Sequence, residues 1–187
     1  EEVERDRIGA IVHIRFCMML YQEQMDNGRY FLHEHPHMAT SWQLAEVTKL
    51  LRDPRVERVR GDQCQFGAQV TGGAKDGRPI LKPSGFMSNS PEILKSLQRR
   101  CTGKAGQCSR RNGGSHARCE GRIAKESAKY PDGLIQAFLR GTTEQLRHDG
   151  VLHDDCFGMQ ALEETVPLCS LEGTVGRSAL CTGKYRD

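Results

Sequence analysis

The sequence predicts an α/β chain, a partial Rossmann-like layered fold with a mixed sheet and flanking helices, and three observations carry that expectation. Apolar residues recur at helical three- and four-residue steps near the amino end, at Ile8, Ile11, Val12, Phe16, Met19 and Leu20. Short apolar runs bounded by turn residues follow, the first at Tyr30-Phe31-Leu32 between Gly28 and Pro36. Helical and strand-like patterns then alternate along the chain, as they do when helices cover the faces of a sheet.

The residues justify each element in turn. The amino-terminal pattern, Val3 to Met25, predicts a helix with a wide buried stripe, stopped by Asn27-Gly28. Tyr30-Phe31-Leu32 has the look of a central parallel strand. Thr40-Ser41 can cap the next helix, with Gln43 as the return partner and Trp42, Val47, Leu50 and Leu51 on its inner side, before Asp53-Pro54 ends it. Val56 to Val59 alternates as a strand, and Gln65 to Val70 could continue it into a hairpin through Gly72-Gly73 and Asp76-Gly77.

Ile80-Leu81 and Gly85-Phe86-Met87 read as short strands around Pro83. Ser90-Pro91-Glu92 joins a capping hydroxyl, a first-turn proline and an acid at the positive end of the dipole, so it starts a helix over 91–100. Residues 102–121 are rich in Gly, Ser, Arg and Lys without periodicity and predict a loop or disordered insert. A last helix begins at Tyr130-Pro131-Asp132, buries Leu134, Ile135, Phe138 and Leu139, and meets Gly141 near its end. The expected organisation is one α/β domain over 1–141 and a weakly structured tail over 142–187.

Composition narrows the function classes. The 187 residues suffice for one domain with a core, and 37% hydrophobic with 6% aromatic content makes that core modest. No run approaches the roughly 18 to 20 apolar residues of a membrane span, and the charged start from Glu1 to Arg7 does not resemble a secretion signal, so an intracellular, nuclear or cytoplasmic place and no membrane partner are expected. Eight cysteines at irregular spacing are then expected as thiols. The net charge of +3 is small, but Arg99-Arg100 and Arg110-Arg111 are local basic pairs, either a solvated face or a nucleic-acid contact.

The densest chemistry is His33-Glu34-His35-Pro36-His37, placed where the end of a strand would open into a site. Three roles stand open for Glu34: facing a substrate as proton donor or acceptor, a structural hydrogen bond, or a metal ligand with the histidines. On a strand His33 and His35 share one face and Glu34 takes the other, and the spacing is not that of the helical two-histidine zinc motif. Cys101, Cys108, His116 and Cys119 are a permitted zinc set, but the CxxC steps that mark such sites are missing, so they read as incidental and no metal ligand is assigned. Cys17 reads as core and Cys64 as strand packing. Lys82, Ser84 and Asn89, before a helix start, could hold a phosphate or base or could merely cap and face solvent.

Phe31-Leu32-His33-Glu34-His35-Pro36, Cys64-Gln65-Phe66-Gly67, Lys82-Pro83-Ser84 and Ser88-Asn89, in this order, resemble the second half of the catalytic domain of cytosine-5 DNA methyltransferases, in their phage and mobile-element branch. Gly28 to Pro36 with Ala39-Thr40-Ser41-Trp42 also resembles an uncharacterised segment of retroelement polyproteins of dinoflagellates. The enzyme resemblance implies that Glu34 contacts and protonates a flipped cytosine. From the residues themselves, His33 and His35 are expected to orient Glu34, Lys82, Ser84 and Asn89 to be candidate DNA or RNA contacts, and Lys82, Arg99, Arg100, Arg110 and Arg111 to form the basic surface of a nucleic-acid-binding module. The resemblance also implies S-adenosylmethionine as cofactor, but only together with an amino-terminal half, because neither a Pro-Cys nucleophile loop nor a glycine-rich cofactor turn occurs here. The implied protein is a carboxyl-terminal portion of such a domain, inactive alone and partnered by the remainder of a larger polyprotein. The alternatives are a non-catalytic nucleic-acid or protein interaction module and a zinc-stabilised binding module.

Overall fold

A computed structural model describes residues 2–152. The chain divides into two units, Glu1–His153 and Asp154–Asp187, and every element below belongs to the first. Helix α1 spans Glu2–Asp26, strand β1 Leu32–Pro36, helix α2 Ala45–Leu50 after a 3-10 turn at Thr40–Gln43, and strand β2 Glu57–Asp62. A second 3-10 turn at Gln63–Phe66 leads to strand β3 at Pro83–Ser88, followed by α3 (Pro91–Leu97), α4 (Gly121–Glu126) and α5 (Asp132–His148). Among the described residues no helix is long and apolar enough to cross a membrane.

The α/β class holds, but the sheet differs from expectation. Its order is β1-β3-β2, and both pairings are antiparallel. The first strand therefore lies at an edge, two residues later than its apolar run suggested, and is not a central parallel strand. The mixed sheet expected from the sequence is likewise not found among the described strands. The cause is local: Phe31 is held outside the ladder, its N–H donating to the Asn89 side chain (3.0 Å), and Tyr30 is partly exposed. Since β1 and β2 each oppose β3, they run in the same direction.

Register sorts the side chains onto two faces. His33 pairs with Met87 and Met87 with Arg58, whereas Glu34, Phe86 and Val59 form the next row and point to the other side. On the first face Met87 packs with Phe31, Trp42, Val47, Leu50 and Val56 under α1 and α2. On the second, Phe86 packs with Phe66, Ile93, Leu94, Leu97 and Leu134 under α3 and α5. A small third cluster, Ala68, Val70, Ile80 and Ala117, sits beside the sheet.

Two helix readings change in instructive ways. In α1 the packed stripe runs through Ile14, Cys17, Met18, Tyr21 and Met25, while Ile8, Val12, Phe16 and Met19 are exposed. This helix is apolar on two sides, so periodicity alone could not choose between them. In α5, Gly141 does not end the helix, which continues to His148 through residues expected in the tail. It is buried mid-helix because α3 crosses there: an added Cβ would lie 2.7 Å from the Ile93 Cα. The start of α3 is as read from sequence, with Pro91 at the first turn and the Ser90 hydroxyl accepting from the Ile93 N–H.

Candidate functional site

Glu34 sits in the middle of β1, on the face toward α5. One carboxylate oxygen, Oε2, accepts the Tyr130 hydroxyl at 2.7 Å, while Oε1 is buried with no hydrogen-bond partner. Burial first, and the carboxylate second, hold the Tyr130 phenol well above its ordinary range, so Tyr130 is a standing donor. A pocket of about 620 Å³ opens here. Helix α1 supplies His13, Ile14, Cys17 and Tyr21 to it, α5 supplies Leu134, Ile135 and Phe138, and Glu34 and Tyr130 share a largely apolar wall that His33 and His35 also border.

The flanking histidines do not orient Glu34 by hydrogen bonds. Strand alternation turns them to the opposite face, where His33 and His35 stack at 5.9 Å and both meet the Trp42 ring edge-on. The Tyr21 hydroxyl lies 3.2 Å from His33 Nδ1. Burial, helped by the nearby His35 and opposed by Glu34, pushes the His33 pKa down to about 4, which makes the ring neutral at pH 7 and suits Nδ1 as acceptor from Tyr21. Tyr130, the group that does position Glu34, carried a sequence signal only as the start of a helix.

The expected nucleic-acid contacts divide. Lys82 donates to the Ser127 carbonyl at 2.7 Å, Ser84 is fully buried and accepts from Gln63, and Asn89 clamps the start of β1 through the Phe31 N–H and the Arg29 carbonyl. All three are engaged in holding the fold. Arg99, Arg100 and Arg111 are exposed, with Arg99 over the Phe66 ring, and Arg110 reaches Gln69 at 3.2 Å.

A second constellation lies at the far end of β2. Cys64, Cys101, Cys108 and His116 bring their ligand atoms within 4.8 Å of one another. Cys64 is buried in the 3-10 turn after β2, and the other three come from the 101–116 loop. The buried Asp62 carboxylate accepts the Cys101 N–H at 2.8 Å and so fixes where the loop begins, while Arg60 balances its charge at 2.8 Å. Within the loop, Cys108 N–H donates to the Gly114 carbonyl and His116 N–H to the Gly106 carbonyl. Gly113 packs so close to Cys108 that a Cβ would approach the Cys108 Cβ to 2.9 Å.

Electrostatics separate these thiols. Burial pushes Cys64 up to about 12. Burial works upward on Cys101 too, but hydrogen bonds from the Ser109 hydroxyl and from the Ser109 and Gly103 amides outweigh it and hold that thiol down to about 6. The cluster differs from the set weighed in the sequence by one member: Cys64 belongs to it, and Cys119 lies elsewhere, against the Ser127 hydroxyl at 3.3 Å. No spacing signal could have added Cys64, which lies 37 positions before Cys101 (101 − 64). No family model, no curated protein and no solved structure matches this chain.

Proposed function

We propose that this chain is a nucleic-acid-binding portion of a methyltransferase-related domain, in which Glu34 contacts an extruded base. The observation that carries the reading is the Glu34 carboxylate itself: Tyr130 holds one oxygen, and the other is partnerless beside a pocket large enough for a nucleobase. A ring N–H or exocyclic amine placed there would satisfy that oxygen and be read by it. Helices packed on both faces of the sheet support the layered part of the reading. The chain supplies base contact and backbone binding. A thiol nucleophile loop and an S-adenosylmethionine turn would have to come from outside it.

The test is titration of fluorescein-labelled single-stranded oligonucleotides, one carrying cytosine and one abasic at the same positions. Glu34→Gln should weaken binding of the cytosine strand by about tenfold, the worth of one hydrogen bond to a charged group, and leave the abasic strand unchanged. Equal affinity of the unaltered chain for both strands would remove the base-contacting role. Affinity that still falls with salt in that case would favour the non-catalytic module, for which the exposed Arg99, Arg100 and Arg111 are the specific support.

A further inference from the structure

We propose that Cys64, Cys101, Cys108 and His116 form a tetrahedral, structural zinc site that fastens the 101–117 loop to the end of the sheet. The site stands apart from the base-contacting reading and does not depend on it. The geometry matches a single small ion: Cys101 and Cys108 sulfurs are 4.0 Å apart and the Cys101 sulfur is 3.6 Å from His116 Nε2. A regular tetrahedron with zinc–sulfur bonds of about 2.3 Å has edges of about 3.8 Å. The same 4.0 Å excludes a disulfide, whose sulfurs lie about 2.04 Å apart. The described cysteines are all free thiols. Three sulfurs and one imidazole are a closed donor set that favours zinc and leaves no position for substrate.

A second observation points the same way. Residues 102–116 contain no Val, Leu, Ile, Met, Phe, Tyr or Trp, so burial cannot hold this loop. Yet it adopts one defined path, with Ala105 and Asn112 at positive φ (49° and 59°) and Gly103 so enclosed that a Cβ would strike the Gln107 carbonyl. Small segments lacking a core are held in such conformations by metals, whose binding energy is folding energy. On binding, the three thiols lose their protons to solvent and His116 coordinates through Nε2. The supporting shell is present as well, for the Gln65 amide lies 3.6 Å from both the Cys64 and Cys108 sulfurs, and the Ser109 N–H reaches the Cys101 sulfur at 3.4 Å.

The experiment loads the full chain, purified under reducing conditions, with zinc or with cobalt(II). One metal per chain is expected, and the cobalt form should show sulfur-to-metal charge transfer with the intense d–d bands of a tetrahedral ion. Cys64→Ser, Cys101→Ser and Cys108→Ser should each abolish stoichiometric binding. Cys119→Ser should retain it, as should a variant with Cys156, Cys169 and Cys181 all changed to Ser. Gln65→Ala should weaken zinc by about 10- to 100-fold. His116→Cys guards against a loss that merely reports misfolding, because a four-sulfur site should still bind one metal, with charge transfer increased by one thiolate. Substoichiometric metal at saturating zinc, an octahedral cobalt spectrum, or loss on Cys119→Ser with Cys101→Ser unaffected would overturn the site.

Discussion

At the scale of residues, the sequence singled out Glu34 together with His33 and His35, and the structure sets the carboxylate and the two rings on opposite faces of β1. Strand alternation already separated Glu34 from His33 and His35, and the register against β3 makes that separation physical. What no local pattern could supply was Tyr130, 96 residues away, because a contact at that range depends on how α5 returns across the sheet. Burial decides the ionisation of His33. Its folded pKa of about 4 lies below the unfolded value of about 6.5. Between those two values the unfolded chain binds the extra proton and the folded one does not, so stability is complete above about pH 6.5 and falls as pH drops toward 4. Thermal midpoints measured at pH 7, 5 and 4 should therefore fall more steeply for the unaltered chain than for His33→Gln. Parallel pH profiles for the two would show that His33 does not govern this window.

At the scale of elements, signals that act within one turn were legible and signals that depend on a neighbour were not. Ser90, Pro91 and Glu92 dictate the start of α3 by their own hydrogen bonding and dihedral limits, and the helix begins there. Gly141 shows the opposite case. A glycine in a helical pattern reads as a stop, yet here it is the point where α3 passes close enough to touch backbone. The second face of α1 and the pairing order of the strands fail to show in the sequence for the same reason, since each is chosen by a partner distant in sequence. Gly141→Val tests this account. Its branched side chain would meet Ile93, Glu92 and Ser96 at or inside contact distance, so unfolding in urea should show a loss of at least about 1–3 kcal/mol. A glycine acting only as a helix stop would instead be replaced with little change or a small gain in stability.

At the scale of the whole molecule, the three apolar clusters differ in what sustains them. Two are built on opposite faces of the sheet and closed by helices, whereas the third has four buried residues, two of them alanine, and borders the loop that carries three of the four zinc ligands. Burial of so little apolar surface cannot offset the ordering of the 101–117 loop at about 1 kcal/mol or more per residue. The loop and this cluster should accordingly depend on the metal while the sheet does not. Hydrogen exchange of the zinc-loaded chain before and after chelation reads the two regions separately. The amides of Cys108, His116 and Ala117, bonded to the Gly114, Gly106 and Pro79 carbonyls, should lose protection, and with them those of Val70 and Ile80. Phe86 and Met87 amides, in the middle strand, should stay protected. Uniform loss across both regions would mean that the ion sustains the sheet as well, and no loss anywhere would mean that hydrogen bonds from Arg78 to Ser115 and His116 suffice to hold the loop.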